Sequence, residues 1–93
     1  MRTIEYATAF KKDFKRVKAS PRHKEVDSLL KGILQHLATD ESLPTRQRDH
    51  ALSGNWSGYR ECHIKPDLLL IYKKPDDDTL RIARLGSHSE LFS

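Results

Sequence analysis

Hydrophobic and polar positions at the start of the chain alternate first with the period of a strand and then with that of a helix. Within residues 2–7, Ile4 and Tyr6 lie on either side of a charged residue, which predicts a short strand. Thr8 is a suitable N-cap for a helix that continues to about Ala19. The apolar stripe of this helix is narrow and consists of Phe10, Phe14 and Val17.

The clearest periodic signal belongs to a second predicted helix. Ser20 suits its N-cap and Pro21 its first position, where the missing N–H of proline costs no hydrogen bond. The helix is predicted to end near Ala38. Its apolar positions follow alternating spacings of three and one: Val26, Leu29, Leu30, Ile33, Leu34 and Leu37. Two such helices form a hairpin whose apolar faces we expect to cover a sheet.

The C-terminal half contains three further strand patterns after an irregular polar segment over residues 39–58. Strands are predicted over residues 59–64, 68–73 and 79–85, followed by a short tail over residues 87–93. The middle strand is apolar throughout and is expected to be buried on both faces. The order β-α-α-β-β-β predicts a mixed α/β fold of the α+β kind. Its late strands form an antiparallel meander, and its helices cover one face.

Length and composition indicate one globular domain over residues 1–93. The hydrophobic fraction is 37% and the charged fraction 32%, which is typical of a folded chain with a well-solvated surface. No stretch is long and apolar enough to span a membrane, and the N-terminus lacks the apolar core of a signal peptide. We therefore expect a cytoplasmic protein without a membrane partner.

The net charge favours a polyanionic partner. The formal charge is +4 and the sequence pI about 9.4. Basic residues concentrate between positions 11 and 24, where Asp13 is the only acid. Lys11, Lys12 and Lys15 are candidates for contacts with phosphate, although an ordinary solvated helix surface explains the same pattern.

The spacing of cysteine and histidine does not predict a metal centre. Cys62 is the only cysteine, so an intramolecular disulfide is excluded. The five histidines include no HExxH or HxH pair. We therefore expect neither a metal nor another cofactor.

Residues with catalytic potential lie in the part of the chain that is predicted to form the sheet. Cleavage of RNA without a metal uses the 2′-hydroxyl as nucleophile and needs a base, an acid and a cation beside the phosphorane. Histidine, aspartate and arginine can fill these roles. The candidates are His50, His63, Asp67, Arg84 and His88, with Arg60 and Lys65 nearby in sequence.

Each candidate also has a purely structural explanation. Asp67 can be a turn former, and Arg84 can pair with Glu61 across the sheet. Trp56 is expected to anchor its loop by packing. Cys62 is expected to be a small buried residue and not a nucleophile.

Three segments of the C-terminal half carry ordered motifs. Residues 49–60 read DHALSGNWSGYR, residues 63–72 read HIKPDLLLIY and residues 84–92 read RLGSHSELF. These resemble the D-H-x-L-x-G-x-W-x-G-Y-R, H-x-x-P-D-x-x-L-I-Y and R-x-G-x-H-x-x-L-F segments of YafQ-type toxins, which belong to the RelE superfamily of type II toxin–antitoxin systems. The resemblance extends more loosely over the helices and so spans the whole chain.

The resemblance implies a RelE-like fold, a twisted antiparallel sheet with two N-terminal helices on one face. It implies an endoribonuclease that cuts messenger RNA in the ribosomal A site, without metal, through the 2′-hydroxyl. It also implies a cognate antitoxin as partner. The toxin is expected to be a monomer when free and part of a hetero-oligomer with the antitoxin.

The resemblance further implies roles at the matching positions. His88 is the expected general acid, and Arg84 is expected to stabilise the phosphorane. Either His50 or Asp67 is expected to be the base, with His63 orienting it or sharing that role.

RNA contacts are expected from Phe92, Arg60 and Lys65 as well as from the three helix lysines. Phe92 is implied to stack on a base near the scissile phosphate. The chain departs from some family members at Leu68, where they carry tryptophan. Leucine stacks less well on a base, so substrate positioning is expected to differ there.

Two other functions compete with the nuclease interpretation. A toxin of the same fold that poisons gyrase, as in the ParE branch, would lack the histidines at positions 50, 63 and 88, which therefore argue against it. A basic module that binds RNA or the ribosome without catalysis would depend on the helix lysines alone.

Overall fold

The computed structural model describes residues 1–92, which form three α-helices and five strands. The helices are α1 (Thr8–Lys18), α2 (Val26–Ala38) and α3 (His88–Phe92). The strands are β1 (Thr3–Tyr6), β2 (His50–Ala51), β3 (Arg60–Lys65), β4 (Leu68–Asp76) and β5 (Thr79–Gly86). Over these residues, no helix has the length and apolar character needed to cross a membrane.

The strands form one sheet in the order β1-β5-β4-β3-β2. β2 to β5 pair antiparallel; for β3, β4 and β5 this was predicted from the short connections between them. β1 instead pairs in parallel with β5, so the sheet is mixed and the predicted antiparallel arrangement holds for four of its five strands. β1 is separated from β5 by the rest of the domain, and so long a connection permits a parallel pairing.

The predicted start of the first helix differs from the observed one by one residue, and that of the second by five. Thr8 is the first residue of α1 and not its N-cap, which is Ala7 without a side-chain cap. Ser20 does accept a hydrogen bond from a backbone N–H, but it caps a 3-10 turn over Pro21–His23. α2 begins only at Val26. Several neighbouring residues can often serve as the cap of a helix. A sequence pattern therefore locates the ends of a helix less accurately than its interior.

The last part of the chain contains more regular structure than predicted. β2 lies within the predicted irregular segment, and β4 continues through Pro75. The predicted tail forms α3, which starts with a capping box. The Ser87 N–H donates to Glu90 Oε1 at 2.8 Å, and the Glu90 N–H donates to Ser87 Oγ at 3.2 Å. Position 93 of that tail lies outside the described residues.

α1 and α2 cover one face of the sheet, as predicted. The apolar stripe of α2 is buried except at Leu29, which is 38% exposed. The main core combines both helices with residues of β3, β4 and β5: Phe10, Val17, Val26, Leu30, Ile33, Leu34, Leu37, Ala38, Cys62, Ile64, Leu68, Leu70, Tyr72, Leu80, Ile82 and Leu85. This layer fixes the orientation of the sheet and leaves its other face, called here the outer face, for other contacts.

A second apolar cluster lies on the outer face. It contains Leu69, Ile71, Ala83 and Leu91, with Leu52, Trp56, Tyr59 and Phe92 packed around them. β4 is therefore buried on both faces, as its unbroken apolar run predicted. The outer face is not bare, because α3 and the loop before β3 contribute to this cluster.

Candidate active site

A row of residues crosses the outer face from one sheet edge towards the other. Four neighbouring strands contribute one residue each: His50, Glu61, Ile71 and Arg84. His63 lies two residues beyond Glu61 on β3. Because alternate residues of a strand share a face, Glu61 and His63 point to the same side.

A β-bulge in β5 brings Arg84 into this row. Ile82 belongs to the main core, and strict alternation would turn Arg84 towards the main core as well. The pairing shifts by one residue, since Tyr72 lies opposite Ile82 whereas Ile71 lies opposite Arg84. Ala83 is the extra residue of the bulge. Arg84 therefore faces the same side as Ile71 and Glu61.

Two imidazoles converge on the carboxylate of Glu61. Nε2 of His50 lies 3.7 Å and Nε2 of His63 lies 3.5 Å from Glu61 Oε1. The Glu61 side chain is only 7% exposed, whereas that of His50 is half exposed. Nδ1 of His50 lies 2.6 Å from the Arg48 carbonyl oxygen, which can only accept, so Nδ1 carries the proton. His50 therefore presents Nε2 to the carboxylate and to solvent.

Arg84 pairs with Asp13 of α1. The structural alternative, which predicted an ion pair between Arg84 and Glu61, was therefore wrong. Nε of Arg84 lies 2.7 Å from Asp13 Oδ2, and Nη2 donates to Oδ1 at 3.1 Å. Burial alone would raise the pKa of Asp13. Hydrogen bonds from Arg84, from the Leu85 N–H and from Arg16 outweigh burial and lower that pKa. Asp13 is thus ionised and holds the guanidinium in place.

His88 and Phe92 share one side of α3. Their rings lie 5.0 Å apart, centroid to centroid, and Phe92 also contacts Trp56 at 6.5 Å between ring centroids. Trp56 packs edge-on against Tyr59, which agrees with its predicted role as an anchor of the loop. Phe92 is half-buried, so part of its ring stays accessible at the border of the second cluster.

Asp67 lies away from the two imidazoles that meet at Glu61. It occupies the turn between β3 and β4, and its Oδ2 is 2.6 Å from Nη2 of Arg22. Together with Arg16 and Ser87 it lines a cavity of about 430 Å³ beside the start of α3. Asp67 therefore lies near Ser87 and Glu90 at the start of α3 and near the residues that follow α1.

Arg60 and Lys65 do not join the outer face. Arg60 alternates with Glu61, and its Nε donates to Asp49 at 3.1 Å. A register shift between His63 and Lys65 interrupts the alternation of β3. The Lys65 Nζ then lies 2.8 Å from Glu25 Oε1, next to α2. Both side chains are engaged in ion pairs on the helix side of the sheet.

The helix lysines are also separate from the histidines. Lys11, Lys12 and Lys15 are exposed on α1, and none of them forms an ion pair within residues 1–92. α1 packs on the main core, so these lysines form a distinct basic surface.

Cysteine and metal chemistry find little support among the described residues. Cys62 is fully buried, and burial raises the pKa of its thiol to about 12, which agrees with the prediction that it is not a nucleophile. In the part of the chain that the structure describes, no three or more His, Cys, Asp or Glu side chains are grouped as a metal site requires.

One family model matches residues 2–93 of this chain. The family is described as bacterial toxin of type II toxin–antitoxin system, YafQ. The chain belongs to this family. The resemblance inferred from the three motifs is thereby confirmed.

YafQ of Escherichia coli and its solved structures are similar to this chain over nearly their full length. The mRNA interferase toxin YafQ of Escherichia coli is 41% identical over 91 residues, which cover 98% of this chain and 96% of the relative. The crystal structure of YafQ from Escherichia coli has 39% sequence identity and a TM-score of 0.86, with 100% of both chains covered. The Escherichia coli DinJ–YafQ complex gives 40% identity and a TM-score of 0.84 at the same coverage. These matches confirm the predicted fold.

In this YafQ-family chain, the outer face brings together part of the predicted site set. His50 and His63 meet at Glu61, and Arg84 lies in the same row. His88 follows on α3, directly after β5, whereas Asp67 pairs elsewhere.

Two acidic residues at the site were missed as site residues by the sequence argument. Glu61 alternates with His63 in a predicted strand, and that spacing could have placed both side chains on one face. Asp13 is the only acid in a run of basic residues, which is a signal for a specific partner. Neither partner could be named without the sheet register.

Proposed function

We propose that this chain is the toxin of a type II toxin–antitoxin system and that it inhibits translation by cutting messenger RNA in the ribosomal A site. The observation that carries the proposal is the pair of imidazoles at Glu61, in the same row of the outer face as Arg84. Membership of the YafQ family supports the toxin role. The name mRNA interferase, which its Escherichia coli relative bears, supports messenger RNA as the substrate.

The proposed reaction uses only side chains and the RNA itself. A base takes the proton of the 2′-hydroxyl, and the 2′-oxygen attacks the adjacent phosphorus. The bond from phosphorus to the 5′-oxygen breaks, and an acid gives its proton to that oxygen. The products are a 2′,3′-cyclic phosphate and a 5′-hydroxyl. Solvent then restores the protonation of both side chains.

His50 is the base that the geometry favours among the alternatives. Its Nδ1–H donates to a backbone carbonyl, so Nε2 can accept the 2′-hydroxyl proton. Glu61 would stabilise the imidazolium that forms, and His63 shares the same carboxylate oxygen. Asp67 is less suited to this role, because Arg22 occupies one of its carboxylate oxygens.

His88 is proposed as the acid and Arg84 as the cation that stabilises the phosphorane. His88 is exposed on α3, where a leaving-group oxygen can reach it. Asp13 occupies Nε and Nη2 of Arg84, and Nη1 makes no hydrogen bond within residues 1–92. Nη1 is therefore the group that we assign to a phosphate oxygen. Phe92 is assigned to stacking on a neighbouring base.

The proposal includes the setting in which the reaction takes place. The domain spans residues 1–93 and acts in the cytoplasm on ribosomes and messenger RNA, without a membrane, metal or cofactor. An antitoxin is the expected partner, since the relative from Escherichia coli occurs in a DinJ–YafQ complex. We expect a monomer when the toxin is free and a hetero-oligomer with the antitoxin. Lys11, Lys12 and Lys15 are assigned to RNA phosphates.

A translation-coupled cleavage assay tests the proposal. Purified ribosomes are stalled on a defined messenger RNA, and cleavage is followed by primer extension for the wild type, His88→Ala and His36→Ala. His36 is a partly exposed histidine on α2 and serves as the matched control. Removal of the general acid is expected to slow cleavage by about 100-fold or more, whereas His36→Ala should cleave normally.

Metal independence is tested on the toxin alone, since EDTA would damage ribosomes. The toxin is treated with EDTA, dialysed and then added to ribosomes in magnesium buffer. Unchanged cleavage is expected. Loss of cleavage that returns only when zinc or copper is supplied would contradict a metal-free site.

A basic module that binds RNA or the ribosome without chemistry is the second candidate, because the three α1 lysines are exposed. This candidate predicts that His88→Ala still inhibits translation fully, while charge reversal at Lys11, Lys12 and Lys15 abolishes inhibition. Full inhibition by His88→Ala, without any cut RNA, would replace the nuclease proposal with this one.

A further inference from the structure

Asp13 is a buried carboxylate on α1 to which the proposed reaction assigns no step. Only 3% of the residue is exposed, yet its carboxylate accepts hydrogen bonds from three residues, Arg84, Leu85 and Arg16. Oδ2 accepts from Arg84 Nε at 2.7 Å and from the Leu85 N–H at 3.0 Å, while Oδ1 accepts from Arg84 Nη2 at 3.1 Å. β1 pairs only with residues 79–82 of β5, so Asp13 satisfies a backbone group that β1 does not reach.

Arg16 extends this contact from α1 to α3. Its Nη1 donates to Asp13 Oδ1 at 3.1 Å, and its Nε lies 3.4 Å from Glu90 Oε2. The other oxygen of Glu90 accepts the Ser87 N–H of the capping box at 2.8 Å. One continuous chain of hydrogen bonds and ion pairs therefore leads from Arg84 through Asp13, Arg16 and Glu90 to the first turn of α3.

Gly86 provides the space for this chain at the junction of β5 and α3. A Cβ atom at position 86 would lie 3.0 Å from Glu90 Oε1 and 3.3 Å from Arg16 Nη2. Both distances are shorter than ordinary van der Waals contacts, so a side chain here would displace the two groups that join α1 to α3.

We propose that Asp13 and Arg16 of α1 are positioning residues that hold Arg84 and α3, with His88, in one fixed arrangement. The inference deepens the proposed function and rests on it. Arginine is long and flexible, and a guanidinium fixed by two hydrogen bonds meets a phosphate without first losing that freedom. His88 depends on the start of α3, which the Arg16–Glu90 contact anchors.

Single-turnover cleavage on stalled ribosomes tests this inference with Asp13→Asn and Arg16→Ala. Each variant is expected to lower the cleavage rate constant by about 10- to 100-fold, because small misplacements of catalytic groups have effects of that order. The concentration of ribosomes that gives half the maximal rate should stay within about twofold of the wild type. Asp13→Asn is also combined with Arg84→Ala. When one residue acts through another, the effects of the two substitutions on the cleavage rate do not add. The double variant should therefore cleave at most about threefold more slowly than Arg84→Ala alone.

Asp40→Asn is the matched control. Asp40 also binds two cations, Arg2 at 2.9 Å and Lys74 at 2.6 Å, but it lies outside the site. This variant should cleave at the wild-type rate, and thermal unfolding is recorded for every variant. Arg16 is about half exposed, so Arg16→Ala decides the outcome if Asp13→Asn fails to fold.

The possible results separate this inference from the function on which it rests. A wild type that does not cut ribosome-bound RNA overturns the proposed function. A wild type that cuts, together with folded Asp13→Asn and Arg16→Ala variants that cut equally fast, overturns only the positioning role. If Asp40→Asn lowers the cleavage rate as much as Asp13→Asn does, the loss reflects a general effect on stability. That result would also overturn the positioning role.

Discussion

At the scale of single residues, Glu61 and Asp13 are the two buried charged residues among those that the structure describes. A carboxylate removed from water needs cationic or hydrogen-bonding partners nearby. Asp13 has two arginines and a backbone N–H, whereas Glu61 has two imidazoles. Asp13 is held by guanidinium groups, which only donate hydrogen bonds, whereas Glu61 faces imidazoles, which can accept or donate a proton. The two carboxylates are therefore suited to different tasks, one to fixing a cation and the other to proton transfer.

The substitution Glu61→Gln tests the second task. Glutamine keeps the size of the side chain but removes the charge that would stabilise a protonated His50. We expect the single-turnover cleavage rate constant to fall by about 10- to 100-fold, with the fold retained, as measured on stalled ribosomes and by circular dichroism.

Glu41→Gln is the control for Glu61→Gln. Glu41 is exposed, and its contact with the Thr39 hydroxyl at 2.9 Å lies in the loop after α2. This control should cleave normally. If Glu61→Gln also cleaves at the wild-type rate, the carboxylate has a structural role only, and proton transfer does not depend on it.

At the scale of elements, two register shifts decide which side chains reach the outer face. The bulge at Ala83 turns Arg84 outwards, and the shift between His63 and Lys65 places the lysine on the helix side. A displacement of one residue reverses every side chain beyond it, so a strand pattern read by simple alternation fails after such a point. This explains why Lys65 was expected beside the RNA but lies next to α2.

The junction of β5 and α3 gives a prediction at this scale. Gly86→Ala places a methyl group 3.0 Å from Glu90 Oε1 and should displace the start of α3. The closest atoms that it would meet are the ends of two flexible side chains, so the cost is the weakening of their contacts, about 0.5–1.5 kcal/mol, and we expect cleavage to fall in parallel because His88 lies on α3.

Gly32→Ala is the control for Gly86→Ala and is expected to change the stability of the protein in the opposite direction. Gly32 lies inside α2, and a Cβ there would meet nothing within 4 Å. Alanine at this helical position should stabilise the protein by about 0.5–1 kcal/mol and leave cleavage unchanged. Urea unfolding of both variants measures the two effects. If Gly86→Ala stabilises the protein instead, the junction of β5 and α3 is not tightly packed.

At the scale of the whole molecule, several carboxylates are tied to cations that join distant parts of the chain. Hydrogen bonds from Lys74 and Arg2 lower the pKa of Asp40 to about 2, and that contact links the residue before β1, the loop after α2 and β4. The pKa of Asp13 is also below its ordinary value. Such contacts tie the first strand and helix to the late strands.

Acid should therefore destabilise the protein. A carboxyl whose pKa is lower in the folded state stabilises that state fully above its ordinary pKa, which is 3.8 for Asp13, and loses the contribution as pH falls below it. We expect the free energy of unfolding in urea to decrease between about pH 5 and pH 2.

Asp13→Asn isolates the contribution of one carboxyl to this acid sensitivity. The variant should be about 1–3 kcal/mol less stable at pH 7, because charged hydrogen bonds are lost at a site where the arginines remain partly solvated. The difference from the wild type should shrink towards pH 2. A constant difference across that range would mean that ionisation of Asp13 does not contribute to stability.

The sequence by itself determined the features that depend on local periodicity and on ordered motifs. The α2 stripe, the doubly buried β4, the meander of the late strands and the YafQ family could all be predicted, since each is encoded by neighbouring residues or by fixed spacings. The histidines at positions 50, 63 and 88 could be selected as candidates for the same reason.

Only the tertiary structure decided which of these groups meet. Asp13 and Arg84 are 71 positions apart, and no periodicity relates them. The parallel pairing of β1, the bulge at Ala83 and the meeting of two imidazoles at Glu61 all depend on strand register. Register results from the packing of both sheet faces at once and from the bonding of every backbone edge. It is therefore a property of the assembled molecule and not of any segment within it.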